Sequence, residues 1–597
     1  MTPIMTSTAA SFPTRRGASF RVALLAMFLL LPASCSKGEE QNQALDTHKS
    51  KNGETQLASV YGSYLAGIHA DSQRDLKSAV RFYGRALAQD PENRPLLRTT
   101  FLLSVATGRM DRAIPLAQRV IRLDSGGSVA HLVLALRDVR AGKYDAAERR
   151  MSGLPNARMG NIIRPMLVAW TRMGQKNTAG ALKALEQLKA QRGFGAFYKL
   201  HLAMIQEMSG NRDAAERAYL DLLGQSKRPP VRLIQAVAGF YLRENRADDA
   251  KTIVARYASN SPSSELLRAL SRQVAKTGKV AALATTAADG IAEALFDVAS
   301  AFFRERVQRF ALVYARLALM ARPDLPMARM LIGEILERQK RFEDAKAMYA
   351  GIKPGTIYYW PARTRMASVL NALGKTDDSI ATLEEIAGKQ LDDPNPLIDM
   401  GDILRAKERF KESVAAYDRA FARIPKIEKR HWALLYSRGI ALERSKDWPR
   451  AEADFLKALE LQPDQPYVLN YLGYTWVERG RNLKQAQSMI EKAVAQRPRD
   501  GYIVDSLGWV LYRLKKYKAA VRNLERAVEL RPQDPVINDH LGDAYWRVGR
   551  ANEARFQWSR ALSLKPDKDL IPTIETKLLR GLEAGLEVEK KKKKKSN

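Results

Sequence analysis

Thiol and imidazole groups are scarce in this sequence, which limits the chemistry that it can perform. One cysteine and six histidines occur in 597 residues, and no two histidines have the spacing of metal ligands. The sequence has neither a Cys-x-x-Cys nor a His-Glu-x-x-His element, and it lacks a Gly-x-Ser-x-Gly elbow and a Walker loop. We therefore predict that the protein is not an enzyme and needs no cofactor or metal. The histidines are expected on helix surfaces or in the core: His48, His69, His131, His201, His431 and His540.

Small residues return at a fixed interval near the C-terminal end of the chain. Gly508 and Ala520 recur 34 residues later as Gly542 and Ala554. This period is typical of tetratricopeptide (TPR) helix pairs, in which the small residues let two helices approach closely. Because one such unit cannot bury its own apolar face, neighbouring units stack into a solenoid. The predicted fold is therefore an all-α, right-handed superhelix of helix-turn-helix repeats.

The same pattern extends along most of the chain with small slips, and it predicts about a dozen units between residues 58 and 566. In the N-terminal half, a turn residue between paired helices marks the period. We predict these turns at Gly108, Gly142, Gly174, Gly210 and Asn245, in steps of 34, 32, 36 and 35 residues.

One stretch interrupts the repeats. Residues 258–290 carry Ser/Pro and Ala/Thr clusters in place of the motif, and both a degenerate repeat and a hinge fit them. A soft boundary near residue 285 then divides the array into two superhelical segments. The predicted organisation is an N-terminal TPR-like array over residues 58–285, a C-terminal TPR array over 286–566 and a helical or disordered tail over 567–597.

The N-terminal residues are typical of a bacterial export signal. Arginines precede an apolar run over residues 22–31, which is too short to span a bilayer. The single cysteine, Cys35, follows that run, and the alanine and serine before it resemble the end of a lipobox. We expect a signal peptide over residues 1–35, with either lipidation of Cys35 or simple secretion after ordinary cleavage. Residues 36–57 are predicted to form a polar linker.

Positive charge is in large excess and points to anionic neighbours. The formal net charge is +33 at pH 7, of which the lysine run 590–595 supplies only a small part. Such an array favours phospholipid headgroups, acidic protein surfaces or anionic glycans. The export signal and the lack of a nucleic-acid-binding motif argue against nucleic acid. The predicted location is the cell envelope, on the periplasmic side of the outer membrane.

The concave face of the superhelix is the predicted partner-binding surface, because the first helix of each unit lines it. Aromatic residues beside arginines on one face are enriched at protein-binding hot spots, and Arg513 and Arg547 are candidates for capturing a carboxylate. An alternative is that Tyr512 and Trp546 are partly packing residues and that the charges only solvate the face. The predicted groove residues are Asn470, Tyr474, Asp505, Trp509, Tyr512, Arg513, Asp539, Asp543, Trp546 and Arg547.

Residues 467–566 also carry a family resemblance. Their landmarks are YVLNYLGYTWVERG, DSLGWVLYRLKKYKAAVRNLERAVEL and DPVINDHLGDAYWRVGRANEARFQWSRAL, with ADGIAEALFDVASAF at 288–302. These segments resemble proteobacterial outer-membrane TPR lipoproteins, including the adaptor that binds a periplasmic carboxyl-terminal processing protease. The resemblance implies a scaffold that gathers a protease with its substrates, or that assembles other envelope machinery.

Two other functions remain open at this point. A TPR component of an exopolysaccharide secretion complex would suit a basic array, because the exported polymer is often anionic. A peptidoglycan-active enzyme, or its direct activator, belongs to a different class, and the lack of a catalytic constellation argues against the enzyme itself. We therefore predict a non-catalytic adaptor, with the secretion component as the alternative.

Overall fold

The computed structural model describes residues 59–596 except 124–126, 155–157, 192 and 262–263. The predicted signal peptide, Cys35 and the polar linker lie outside these residues. Within them the chain forms 31 α-helices and two short 3₁₀ helices, and no strand is assigned there. No helix in this part of the chain combines the length and the apolar composition needed to cross a membrane. The prediction of an all-α TPR solenoid is confirmed.

Contacts divide the described residues into two compact units, and the division lies between Ile386 and Ala387. The helices up to this point are α1 (Val60–Ser72), α2 (Leu76–Gln89), α3 (Arg94–Ala106), α4 (Met110–Leu123), α5 (Ser128–Arg140), α6 (Tyr144–Ser152), α7 (Arg158–Gly174), α8 (Thr178–Glu186), α9 (Gly195–Met208), α10 (Arg212–Gly224), α11 (Val231–Arg243), α12 (Ala247–Ser259), α13 (Glu265–Thr277), α14 (Ala287–Arg304), α15 (Gln308–Ala321), α16 (Pro326–Arg338), α17 (Phe342–Ala350), α18 (Tyr359–Ala372) and α19 (Thr376–Lys389), within which the division falls.

The second unit contains the repeats that carry the clearest sequence pattern. Its helices are α20 (Asn395–Ala406), α21 (Phe410–Ala422), α22 (Trp432–Arg444), α23 (Trp448–Leu461), α24 (Pro466–Glu478), α25 (Leu483–Gln496), α26 (Gly501–Arg513), α27 (Tyr517–Leu530), α28 (Pro535–Arg547), α29 (Ala551–Ser563), α30 (Ile571–Arg580) and α31 (Leu582–Ser596). The short 3₁₀ helices are Gln187–Ala190 in the first unit and Lys429–His431 in the second.

The paired helices cross where glycine meets a large side chain. A Cβ atom added to Gly508 would lie 2.5 Å from Cγ of Leu524, and one added to Gly542 would lie 2.5 Å from Cδ1 of Trp558. Both large side chains are fully buried. The glycines are therefore required by close approach, as the 34-residue period predicts.

The turns between paired helices are spaced more regularly than the sequence pattern suggests. The left-handed residue of each turn is Gly108, Gly142, Lys176, Gly210 or Asn245, so the steps are 34, 34, 34 and 35 residues. The prediction of a turn at Gly174 is wrong. That residue ends α7, where a Cβ atom would lie 2.4 Å from the ring of Tyr144.

The helices that follow residue 285 pack back onto earlier repeats of the first unit. Helix α14 contacts α7 and α9, and α15 contacts α3 and α5. These earlier helices are the first helices of their repeats, so α14 and α15 cover the inner side of this array. Gly290 of α14 lies so close to the buried Trp170 that a Cβ atom would clash with the indole, at 1.9 Å. By these contacts the chain divides at residue 386.

Charged residues hold α14 in place within this unit. Glu293 and Asp297 are buried, and Arg232 of α11 pairs with both. Burial disfavours the ionised carboxyl of Asp297, but Arg232 and His201 outweigh this and hold its pKa below the ordinary value. The inner side of the first unit is thus filled by its own chain, which leaves the second unit as the place to look for a partner-binding groove.

Candidate functional site

The ten predicted groove residues lie on three successive first helices of the second unit, α24, α26 and α28. The structure brings them onto one side of the array, but most of them are not available to a partner. Only Trp509, Arg513, Trp546 and Arg547 are partly exposed. The buried members are Asn470, Tyr474, Asp505, Tyr512, Asp539 and Asp543, each less than a tenth exposed.

Trp509 is at the centre of an aromatic stack that joins two repeats. Its ring lies parallel to Tyr512 at 4.8 Å and parallel to His540 at 4.0 Å between ring centroids. Its indole nitrogen donates a hydrogen bond of 2.6 Å to Glu478 of α24, and Arg513 lies 3.3 Å from the same carboxylate. Tyr512 therefore has the packing role that the alternative interpretation assigned to it.

The three aspartates of the predicted groove are internal braces. Asp505 pairs with His540 of the next repeat at 2.9 Å, which joins α26 to α28. Asp539 and Asp543 share the ammonium group of Lys577 from α30, at distances of 2.8 Å and 2.8 Å. All of these side chains are buried, so the aspartates do not face a ligand.

The shared ammonium leaves one carboxylate in excess, and the titration of Asp543 reflects this. Burial raises the pKa of Asp543 to about 6, and the negative charge of Asp539 acts in the same direction, although Lys577 opposes it. For Lys577, burial disfavours the charged form, but the two carboxylates raise its pKa above the ordinary value. The sequence did not single out Lys577. Two aspartates four residues apart on an inward helix face were the available signal, because buried carboxylates need a cation.

Aromatic side chains donate to carboxylates at several levels along the inner face. At the first two levels, each carboxylate comes from the first helix of the preceding repeat. At the last level it comes from α31, beyond the repeats. The pairs are Tyr471 to Glu443 at 3.2 Å, Trp509 to Glu478 at 2.6 Å and Trp546 to Glu583 at 3.2 Å.

The C-terminal helix α31 covers the inner face beside Trp546. Gly581, with φ of +87°, turns the chain from α30 into α31, and a Cβ atom on it would lie 2.7 Å from the Trp546 ring. Leu582 is fully buried, and Leu586 packs against the same apolar core. Glu583 accepts a hydrogen bond of 2.9 Å from Arg547. One side of the predicted groove is therefore occupied by the chain itself.

The cover extends toward α24. Burial raises the pKa of the Tyr474 hydroxyl well above its ordinary value, and the carboxylates of Glu478, Asp505 and Glu589 add to the effect. Glu589 belongs to α31, so this helix reaches from the level of α28 to the neighbourhood of Tyr474. The predicted tail, 567–597, forms two helices over most of its length.

The site offers aromatic surface and cations, and this combination suits binding of a polypeptide better than catalysis. Among the residues that the structure describes, no group of three His, Cys, Asp or Glu side chains is arranged to hold a metal ion. The partly exposed guanidinium groups of Arg513 and Arg547 can each form paired hydrogen bonds to a carboxylate. Both already contact one, in Glu478 and Glu583 respectively.

Comparisons with protein families and sequences identify TPR repeats in the second unit. Residues 398–466 match a family model described as "Tetratricopeptide repeat", and residues 508–549 match one described as "TPR repeat". The "TPR repeat-containing protein PA4667" of Pseudomonas aeruginosa is 29% identical over 192 residues. This match covers 32% of the present chain and 32% of that protein. The chain thus aligns with about a third of the relative's length.

Solved structures also match this chain, at low sequence identity. The Cut9–Hcn1 hetero-tetramer of the APC/C is 14% identical, with a TM-score of 0.36 over 87% of this chain and 96% of that chain. Yeast Tom70 is 13% identical, with a TM-score of 0.32 over 89% and 96% of the two chains. The MamA RS-1 ArsTM double mutant is 22% identical, with a TM-score of 0.25 over 29% and 94%.

Proposed function

We propose that this TPR repeat protein is a non-catalytic, periplasm-facing scaffold lipoprotein of the bacterial envelope. TPR repeats imply protein–protein interaction. The inner face of α24, α26 and α28 is the proposed binding surface, and the proposed partners are a periplasmic carboxyl-terminal processing protease and its substrates. The observation that carries the binding role is the partly exposed set of Trp509, Arg513, Trp546 and Arg547 on that face.

The chemistry of these four side chains supports the choice of surface. Tryptophan and arginine are the residue types most enriched among side chains that dominate binding energy at protein interfaces. A guanidinium group also makes two parallel hydrogen bonds to one carboxylate, which fixes the orientation of a bound acidic side chain. With a net charge of +33, the protein also attracts acidic partners over distance.

The proposed location and the proposed protease partner have their support in the sequence. An apolar run precedes Cys35 in a lipobox-like context, and the C-terminal repeats resemble outer-membrane TPR lipoproteins. Several acyl chains on one cysteine would anchor the protein stably, whereas one chain gives only marginal membrane binding.

Affinity capture from envelope extract tests the binding surface. The full chain with Arg513→Ala and Arg547→Ala is compared with wild type. We expect capture of the specific partner to fall about tenfold, because losing hot-spot contacts weakens binding by roughly 1–3 kcal/mol. Trp509 is left intact because it stacks between Tyr512 and His540, so its removal would also disturb repeat packing.

The matched control is Arg522→Ala with Arg560→Ala. Both residues are exposed on the second helices α27 and α29, and the net charge changes equally. Mass spectrometry of captured proteins distinguishes the functions. A protease lost with the groove variant supports the adaptor, whereas synthase or export proteins support the secretion alternative. Equal capture by the groove variant and the control would contradict binding at this face.

A further inference from the structure

We propose that the inner face around Trp546 and Arg547 binds an acidic amphipathic helix of a partner protein, and that α31 occupies this site until such a helix displaces it. The inference rests on the proposed function, because it specifies the ligand of the same surface. It commits to a helix that presents a carboxylate between two leucine-sized side chains.

Trp546 and Arg547 find a carboxylate outside the repeats. Trp509 lies one residue after Gly508 and donates to Glu478 of the preceding repeat. Trp546 lies four residues after Gly542, which is the repeat position of Tyr512, and it donates to Glu583 of α31 instead. The two tryptophans thus reach carboxylates of different origin, one within the array and one beyond it.

Helix α31 supplies this carboxylate. Glu583 accepts hydrogen bonds from the indole nitrogen of Trp546 at 3.2 Å and from Arg547 at 2.9 Å. Both donors therefore converge on one carboxylate of α31. Buried or half-buried donors favour an occupied site, since an unpaired donor loses its hydrogen bond to water on burial. The site therefore has the donor arrangement of a carboxylate receptor.

The leucines around Glu583 show what else the site accepts. Leu582 is fully buried and Leu586, four residues later, packs against the same core. Residues four apart lie on one face of a helix, so both leucines are directed to the array together. Glu587, one residue further, is exposed. The contact pattern is thus Leu-Glu-x-x-Leu on a helix, which defines the chemistry of the partner segment.

The two tail helices are held by contacts of different kinds. Lys577 attaches α30 through an ammonium group whose side chain is 3% exposed, between two buried aspartates. By contrast, the side chain of Glu583 is 65% exposed and that of Arg547 is 29% exposed. Exposed ion pairs contribute little, whereas breaking a buried pair is strongly destabilising. Helix α30 therefore stays on the last repeat, and α31 is the exchangeable part beyond Gly581.

A labelled peptide with the sequence of residues 580–597 tests the proposal by fluorescence anisotropy. The peptide is titrated with the full chain in detergent at physiological salt. Two forms of the chain are compared, the wild type and a variant with Glu583→Lys and Leu586→Asp. Those substitutions release α31 and free the site, so this variant is called the released chain. A tethered segment competes at an effective concentration of about 1 mM, so we expect the released chain to bind the peptide at least about tenfold more tightly.

Two controls test whether the effect is specific to Glu583 and Leu586. The chain variant Glu587→Lys alters an exposed residue of the same helix and should bind the peptide like wild type. A peptide carrying Glu583→Lys and Leu586→Asp keeps the lysine run and should bind at least about tenfold more weakly to the released chain. If the released chain loses helicity by circular dichroism, Glu583→Gln alone is used, with the same order of affinities expected.

Equal peptide affinity for wild type and the released chain would overturn the proposal, as would equal binding of the two peptides. These outcomes differ from a failure of the proposed function. That failure would show as unchanged partner capture by the Arg513→Ala, Arg547→Ala chain, and it leaves the peptide affinities unaffected. Tight binding of the native peptide by the released chain, with loss on its Glu583→Lys, Leu586→Asp form, would support the acidic-helix site.

Discussion

At the scale of single residues, glycine decides how closely the helices of this protein approach. Gly290 leaves no room for a Cβ atom, which would lie 1.9 Å from the Trp170 indole. The Trp170 indole is fixed as well, since its nitrogen donates to His201 at 2.8 Å and the ring is fully buried. By contrast, Gly84 within α2 has open space where a Cβ atom would lie.

This contrast yields a matched pair of substitutions. We expect Gly290→Ala to destabilise the first unit by about 1–3 kcal/mol, because overpacking outweighs the gain in helix propensity. Gly84→Ala should stabilise it by up to about 1 kcal/mol, because only the propensity term acts. Thermal denaturation followed by far-UV circular dichroism measures both. A melting temperature for Gly290→Ala at or above wild type would contradict the packing argument.

At the scale of secondary-structure elements, buried charges connect α26, α28 and α30. Asp505 pairs with His540, and Lys577 pairs with Asp539 and Asp543. Burial disfavours the charged imidazole, but the carboxylates of Asp505, Asp539 and Asp543 outweigh this and raise the pKa of His540. The folded protein therefore binds the proton of His540 more strongly than the unfolded chain does.

A pH dependence of stability follows from these shifts. A raised pKa of His540 gives stability that is present below about pH 6.5, its unfolded value, and that is lost as pH rises through the folded value. The raised pKa of Asp543, about 6, acts in the same direction at lower pH, because the folded state favours its neutral form. We expect the melting temperature of the second unit to fall between about pH 6 and 8.

The variant His540→Gln isolates the contribution of the imidazole. Its melting temperature should change less with pH across this window than that of wild type, even if its absolute stability is lower. Differential scanning calorimetry at several pH values provides the measurement. An equal slope for the two proteins would show that His540 does not titrate with folding.

At the scale of the whole molecule, the protein is built from two compact units with different inner surfaces. The first unit covers its inner side with α14 and α15, which pack against α3, α5, α7 and α9. The second unit covers part of its inner face with the tail helix α31, through Leu582 and Glu583. In both units a later segment of the chain covers part of the inner surface formed by the repeats. The repeats alone therefore do not define which part of that surface is accessible to a partner.

The proposed anchorage to the membrane is a property of the whole chain, and Cys35 would carry the acyl groups. We expect metabolic palmitate labelling of wild type, and loss of the label in Cys35→Ala, because this is the only thiol. The variant should move from the membrane fraction to the soluble periplasmic fraction. Immunoblotting of both fractions controls for expression. Absence of label from wild type would contradict lipidation and favour simple secretion.

Much of the architecture was predictable because its determinants are local. The Gly508–Leu524 and Gly542–Trp558 contacts lie within single helix pairs, so a fixed period in the sequence reports them directly. The turn at Lys176 was missed because glycine is the usual turn residue and Gly174 lies nearby. In the structure, position 174 needs a glycine for another reason, because the Tyr144 ring leaves no room for a Cβ atom. A glycine can meet either need, and the sequence does not distinguish them.

The candidate site was predictable in position and only partly in role. All ten residues lie on α24, α26 and α28, the first helices of their repeats, and six of them are buried. The repeat register could not show that Asp539 and Asp543 share Lys577, or that Arg547 is paired with Glu583. Those partners lie beyond the last repeat, where the period no longer applies.

By itself, the sequence determined the helix pairs, their stacking into a solenoid and the face that points inward, because each depends on contacts between neighbours in the chain. Only the tertiary structure decided which parts of that face are covered. Helices α14 and α15 reach the inner surface of the first unit by packing on repeats far back in the sequence, and α31 covers the last repeat from beyond it. Such long-range packing depends on shape and on the partners of buried charges, and neither leaves a periodic trace in the sequence.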